Sequence, residues 1–382
     1  MKMRFVRGAI GCAWLFMCGT PLYGQEVSGY VSGMPSVIVQ QPAGETWWQA
    51  LVHNRVNFGW QLAGCWRVDA GVRNRLITGS EAMTDPESAG LDTGLADLSW
   101  NWAAGKNVTG NTSFDRLLLT FEKDEWQLKL GRQRINWGQT FVWNPNDIFN
   151  TYSFFDFDYP ERPGCDAFRA TYYHSATASS ELAVSSSRGG RVTAALLHHW
   201  NRNRFDYQVI AGEQAESDIV LGGAWTGDFD GLNFRGEFSL FRPLRHFTDT
   251  ATVASASAGL DYLFSNSLMV QLEVLYNNAG GAFADNGLPG LYATPLSAKH
   301  LSICDWNVFA QASRPLTPRL NAALSGMYFV DAKSCYAGLS ADYSVIENLD
   351  FSFIAQYFAS AKSSASGNMS IWLGFVRLKY SF

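Results

Sequence analysis

Hydrophobic and polar residues alternate along most of this chain with a period of two. Between Trp48 and Leu62 one parity reads Trp48, Ala50, Val52, Asn54, Val56, Phe58, Trp60 and Leu62, and the other reads Gln49, Leu51, His53, Arg55, Asn57, Gly59 and Gln61. Trp66, Val68, Ala70 and Val72 then oppose Arg67, Asp69, Gly71 and Arg73. Further on, Leu232, Phe234, Phe238 and Leu240 oppose Asn233, Arg235, Glu237 and Ser239, and Leu268, Val270, Leu272 and Val274 oppose Met269, Gln271 and Glu273. Successive side chains of an extended strand point to opposite faces, so this pattern predicts strands whose two faces meet different surroundings. A soluble sandwich gives the same alternation over strands of about 5–6 residues. These runs are longer, near the roughly 9–11 residues that a tilted strand needs to cross a bilayer.

The connections alternate as well. Short turns are expected near residues 63–65, 124–125, 175–180, 201–204, 227–231, 265–267, 315–318 and 346–348, and between them fall mostly longer polar stretches, the largest at 80–113, 136–165 and 277–302. Short turns on the periplasmic side and long loops outside belong to bacterial outer-membrane barrels. With a first strand at 27–40, the pattern predicts an all-β, antiparallel, up-and-down transmembrane β-barrel of about 18 strands, with 16 as the alternative because the number is expected to be even. Trp48, Trp60, Trp66, Trp126, Trp200, Phe205 and Tyr276 stand near strand ends, where amphipathic rings form girdles at the two membrane interfaces.

Composition sharpens this reading. Only 16% of residues are charged, against roughly 25% in ordinary globular chains, while aromatics reach 14%. Mean hydropathy is −0.09, so apolar content is high yet dispersed. No run of eighteen apolar residues follows the N-terminus, which leaves strands to do the crossing. The first residues place the chain in the export pathway: Lys2, Arg4 and Arg7 precede an apolar stretch at 8–19, and small Gly24 precedes Gln25. Residues 1–24 are therefore expected to be a signal peptide and 25–382 the mature barrel. Phe16 and Met17 before Cys18 do not fit a lipoprotein site.

A net charge of −5 argues against nucleic acid as a partner. Cys65, Cys165, Cys304 and Cys335 remain after leader removal and have no metal-binding spacing. Cys304 and Cys335 fall near the same rim, and a bridge between them is left open. His53, His174, His198, His199, His246 and His300 form no zinc motif, no nucleophile elbow appears, and the adjacent His198 and His199 point to opposite faces of one strand. The chain is expected not to be an enzyme and to use no cofactor or metal. Asp147, Asp156, Asp158 and Glu161 are the one acidic group that a hard cation would suit, with turn capping as the simpler reading.

The inward parity carries Arg55, Arg67, Arg73, Arg75, Arg116, Lys129, Arg169 and Arg235, together with Glu237 and Glu273. These are the expected pore-lining residues. Arginines facing a pore attract anions, while nearby carboxylates can instead make the same residues a salt-bridged wall. Arg132 and Arg134 share parity with outward Trp126, Leu128 and Leu130, so they lie beyond the hydrocarbon zone or a bulge at Gly131 turns them inward.

The stretch Gly131-Arg132-Gln133-Arg134-Ile135-Asn136-Trp137-Gly138 leads into Trp143-Asn144-Pro145-Asn146-Asp147-Ile148-Phe149-Asn150. A strand ending in Gly-Arg-Gln before a long loop resembles the porin superfamily, including phosphate-selective and alginate-export channels. The pair of motifs resembles a group of barrel proteins from the Bacteroidota. In porins the third outer loop folds back and narrows the lumen, so the resemblance implies that the 136–165 loop is a constriction. Trp143, Asn146, Asp147, Phe154, Phe155, Asp156 and Asp158 would form it; a lid over the mouth is the alternative. The final strand, at about 370–382, puts Trp372, Val376, Leu378, Tyr380 and terminal Phe382 on one face. This is similar to the C-terminal signal of outer-membrane barrels, with Tyr380 and Phe382 as the part their assembly machinery reads. The resemblance implies lipid and lipopolysaccharide around the barrel and small polar or anionic solutes inside it. A non-conducting barrel working through its outer loops is the competing reading, and nothing in the pattern identifies a subunit interface.

Overall fold

A computed structural model describes residues 24–84, 91–155, 159, 161–245, 247–280, 296–360 and 369–382. The first strands are β1 (Gln25–Gln41), β2 (Glu45–Ala63), β3 (Trp66–Gly79), β4 (Ser99–Gly105), β5 (Val108–Lys123) and β6 (Trp126–Gln133). Next come β7 (Cys165–Ser175), β8 (Ala178–Ser186), β9 (Val192–Arg202), β10 (Phe205–Gln214), β11 (Asp218–Phe229) and β12 (Leu232–Pro243). The last are β13 (Val253–Leu263), β14 (Met269–Asn277), β15 (Trp306–Thr317), β16 (Leu320–Phe329), β17 (Ser334–Ile346), β18 (Leu349–Ser360) and β19 (Met369–Ser381).

Every strand pairs antiparallel with its neighbours, and β1 closes the sheet by pairing with both β2 and β19. Short β4 pairs with the outer half of β5, while β6 pairs with the inner half, so β4 and β6 share one position in the wall. The result is a closed barrel of 18 strand positions. The 80–113 stretch, expected to be loop, supplies β4 and the start of β5. Each expected short turn joins two strands at one end of the barrel, the end where β1 begins and β19 stops. Asn203–Arg204 and Asp230–Gly231 have positive φ at both turn positions, the twist that a two-residue hairpin requires.

The two faces divide as the alternation requires. Val52, Leu130, Leu196, Leu221, Leu272, Leu324 and Leu378 are exposed on the outer face. Rings meet at both rims: Trp66 with Phe121 and Trp126 with Tyr172 at one, Tyr276 with Trp306 and Tyr357 with Trp372 at the other. Closure joins the strands by internal backbone pairing, the condition for an all-strand structure in lipid.

The inside is not uniformly polar. Towards the outer rim Val220, Phe241, Leu275, Phe309 and Phe358 point inward and are fully buried, because the 134–164 segment and residues 296–305 pack onto them. This barrel therefore carries an apolar core inside its outer half. Cys65, Cys165, Cys304 and Cys335 are all free thiols, so Cys304 and Cys335 are not bridged. The leader region lies outside the described residues.

Candidate functional site

After Gln133 the chain leaves the wall and enters the lumen. Its first anchor is on β8 and β10: Trp137 Nε1 donates to Glu181 Oε1 at 2.7 Å, and Gln208 Nε2 donates to the Trp137 carbonyl at 2.6 Å. Two wall carboxylates then receive the backbone. Gln139 N donates to Glu237 Oε2 at 2.7 Å, and the Thr140 hydroxyl lies 2.9 Å from Glu237 Oε1. The amides of Phe141 and Trp143 each reach Glu273 at 2.8 Å, that of Val142 at 3.1 Å, and Ser257 adds its hydroxyl at 3.0 Å. Consecutive amides converging on one carboxylate form a strong seat, because a bond to an ionised acceptor contributes about 1.5–3 kcal/mol.

The middle of the loop lies against the far wall. Asn146 Nδ2 donates to the Gly223 carbonyl at 3.0 Å and its Oδ1 accepts from Ser239 at 2.7 Å. Gly222 leaves room for this: a Cβ there would stand 2.6 Å from Asn146 Oδ1. Phe154 rests edge-on against Phe309 with centroids 5.1 Å apart, and Phe155 against Tyr336 and Phe358 at 5.1 and 5.2 Å. Asp147 is buried at the turn; burial pushes its carboxyl up to about 7, against the pull of Arg134 and Arg162 and of the Trp137 and Asn150 amides. The returning arm reaches the first strands, where Tyr30 donates to Glu161 at 3.0 Å and Tyr159 donates to Asp115.

With β8 to β18 on one side of the loop and β1 to β5 on the other, the geometry can be compared with known proteins. No protein-family model matches the sequence, and no curated protein matches it. Solved structures do match. OccAB4 of Acinetobacter baumannii aligns with TM-score 0.56 at 10% identity, over 95% of this chain and 100% of that one. OccK5 (OpdH) of Pseudomonas aeruginosa gives 0.58 at 8% identity, over 93% and 98%. The outer membrane protein OprD of Pseudomonas aeruginosa gives 0.56 at 10% identity, over 95% and 96%. This is a porin fold.

Within the porin fold, the expected pore-lining residues face inward and are largely engaged. Arg55 is buried against Asp115. Arg73 donates to His53 Nε2 at 3.1 Å and lies 3.6 Å over the Tyr159 ring, and Arg75 donates to Asn111 at 3.1 Å. Arg116 donates to the carbonyls of Asp115, Glu161 and Arg162 at 2.7, 2.6 and 3.0 Å. Arg169 pairs with Glu181, and Arg235 with Asp261. Lys129 sits beside Arg169 in register. Arg67 bridges Asp69 at 2.8 Å and Glu26 at 3.1 Å. It borders an open cavity of about 190 Å³ with Ser28, Asn57 and Arg116, on the side of the barrel where β1 begins. Glu237 and Glu273 face inward too, but the loop covers them. Of the expected loop residues, Trp143, Asn146, Asp147, Phe154 and Phe155 are in the lumen, while Asp156 and Asp158 lie outside the described residues. Among the described residues no acidic group is clustered for a metal.

One feature escaped the sequence reading. Asp115 is the extra residue of a bulge in β5, where the register with β3 shifts, so both Asp115 and Arg116 turn inward. The adjacent polar pair Asp115-Arg116 inside an alternating run was the available signal. Arg132, expected beyond the hydrocarbon zone or turned inward by a bulge, is almost fully buried: it pairs with Asp92 at 2.6 Å and Asp166 at 2.7 Å and donates to the Ala96 carbonyl, so residues 92–96 seal it on the wall. Tyr380 lies at the end of β19 and Phe382 just past it, where Phe382 and Gly29 exchange two backbone bonds of 2.9 Å.

Proposed function

We propose that this chain is a bacterial outer-membrane channel through which small polar solutes diffuse passively, with the 134–164 loop as its constriction. The observation that carries the reading is the loop's position: it lies inside the barrel, clamped to the wall by Glu237 and Glu273, rather than over the mouth. The apolar outer face and aromatic rims fit a barrel held in lipid, with lipopolysaccharide at the outer rim, and the porin fold supports a channel rather than an enzyme. Nothing in this role requires a cofactor. In this reading residues 1–24 direct export, and the β19 end, with Tyr380 and Phe382, is what the barrel-assembly machinery engages.

A preference for anions is the finer part of the proposal. Arg55, Arg67, Arg73, Arg75, Arg116, Lys129 and Arg169 gather on β2 to β7, while Glu237, Asp261 and Glu273 stand on β12 to β14. The basic arc is tempered by its partners Asp69, Asp115 and Glu181, so the expected preference is modest.

A second reading has its own observation. Phe154 and Phe155 pack against Phe309, Tyr336 and Phe358, as a plug would. Single-channel recording of the refolded protein in a planar bilayer, under a salt gradient, separates the two. Discrete current steps establish a channel, and the sign of the reversal potential tests the anion preference. A folded barrel that never conducts assigns the loop as a plug and the outer loops as the working surface.

A further inference from the structure

The outer face of the barrel carries a polar cluster that the channel reading does not use. His198 and His199 are adjacent on β9; His199 faces the lumen side and lies 3.5 Å from Asp206, whereas His198 is exposed on the opposite, lipid-facing parity below Leu196. On β7 the register with β8 shifts between Tyr173 and Ser175, and His174 is the extra residue of that bulge. His174 shares the outward parity of Phe168 and Tyr172 and so reaches the same outer patch: Ser180 Oγ lies 2.8 Å from His174 Nε2 and 2.9 Å from His198 Nδ1, and the two rings are 5.6 Å apart. Tyr172 packs edge-on against His174 at 4.9 Å, and Trp200 stacks on His198 at 5.5 Å.

An aromatic girdle explains Tyr172 and Trp200 but not two imidazoles and a serine between them. Down β9 the outward residues run Leu196, His198, Trp200, Arg202, an order that passes from hydrocarbon through the interface to water. Arg202 is exposed and has no ion-pair partner among the described residues, while its neighbour Arg204 is held by Asp228. Ser180 has one hydroxyl proton, so one ring accepts it and keeps an outward N–H, while the other ring donates to Ser180 and offers a second outward N–H only when protonated. The patch lies at the rim with the short turns, where the channel reading puts the phospholipid leaflet.

We infer that His174, His198 and Arg202 form a binding site for the phosphate of a phospholipid headgroup, with Trp200 between His198 and Arg202 and with Leu196 against the acyl region. This goes beyond the channel proposal and rests on it only for the membrane location. Imidazole and guanidinium N–H groups converge on a phosphate oxygen cluster, and near a membrane surface each basic residue adds attraction that serine and aromatic neighbours do not. The site would hold the barrel at a fixed depth and rotation in its leaflet.

The test is native mass spectrometry of the refolded full chain, titrated with phosphatidylglycerol, with a phosphate-free galactosyldiacylglycerol of the same acyl chains, and with inorganic phosphate. The expected result is binding of phosphatidylglycerol about fivefold or more tighter than of the galactolipid, a preference that disappears in the His174→Ala, His198→Ala, Arg202→Ala triple variant. All three side chains are exposed, so the variant keeps its barrel, which heat-modifiable migration on a gel verifies. Equal binding of the two lipids by the wild type overturns the site, as does a preference that survives in the triple variant. Inorganic phosphate binding as tightly as the lipid overturns the lipid assignment.

Discussion

At the scale of single residues, the lumen is organised by carboxylates that hold either an arginine or the loop. Asp115 does both: it pairs with buried Arg55 and receives the Tyr159 hydroxyl from the returning arm. Replacing it with Ala would leave the buried Arg55 guanidinium with only Glu161, at 4.0 Å, as counter-ion, so the loss approaches from below the cost of about 3–5 kcal/mol for a broken buried pair. Urea unfolding of the refolded barrel should show that loss as a lower midpoint with an unchanged slope; a midpoint within error of wild type would mean that water reaches Arg55. Asp147 gives the loop a dependence on pH. Its carboxyl, ordinarily near 3.8, is pushed up to about 7 by burial, so the seated loop prefers the protonated acid. A group raised in the folded state contributes stability that is complete at low pH and lost as pH rises through the folded value. Amide-exchange protection of residues 141–147 is therefore expected to be higher near about pH 6 than near about pH 8.5, and Asp147→Asn, neutral at both, should abolish the difference. The same pH dependence in the Asn variant would assign the effect to another group.

Element by element, the wall was legible and the loop's seat was not. Period-two alternation placed the strands, and the short breaks between alternating runs marked the turns, because both signals are local: each depends on which face a residue meets. The outward rows Trp48 to Leu62 and Leu232 to Leu240 could be read without knowing the neighbours. What alternation cannot show is where a face changes partner. Phe241, Leu275 and Phe309 point inward like the arginines below them, but they serve a segment folded back from far away in sequence. Asp115 was missed for a related reason, since a bulge shifts parity by one residue and the pattern beyond it reads correctly again. Gly222 shows how an element makes room for another. Valine there would displace Asn146 from its bonds to Gly223 and Ser239, freeing the middle of the loop while leaving the wall pairing intact. Larger and noisier current steps from Gly222→Val, beside an unchanged barrel circular-dichroism spectrum, are the expected outcome; steps identical to wild type would show that Asn146 does not hold the constriction.

For the whole molecule, the arrangement of charge matters more than its total. A net charge of −5 would by itself point to a cation-selective pore. The basic side chains of β2 to β7 are gathered opposite the glutamates of β12 and β14, and those glutamates are spent on loop amides rather than presented to solutes. Buried acids covered by the loop act weakly on an ion in the water-filled part of the lumen, whereas the half-exposed Arg67 and Arg75 act on it directly. Arg73 is locked between His53 and Tyr159, so a substitution there would disturb the loop as well as the field. Arg75 lies on the same strand and donates to Asn111 of β5 at 3.1 Å, which makes it the variant to test. Under a salt gradient, Arg75→Glu is expected to move the reversal potential towards cation preference while conductance stays near the wild-type level. A reversal potential that does not move would show that the path of ions avoids the β2–β3 wall, and the basic arc would then be a structural lining rather than a selectivity element.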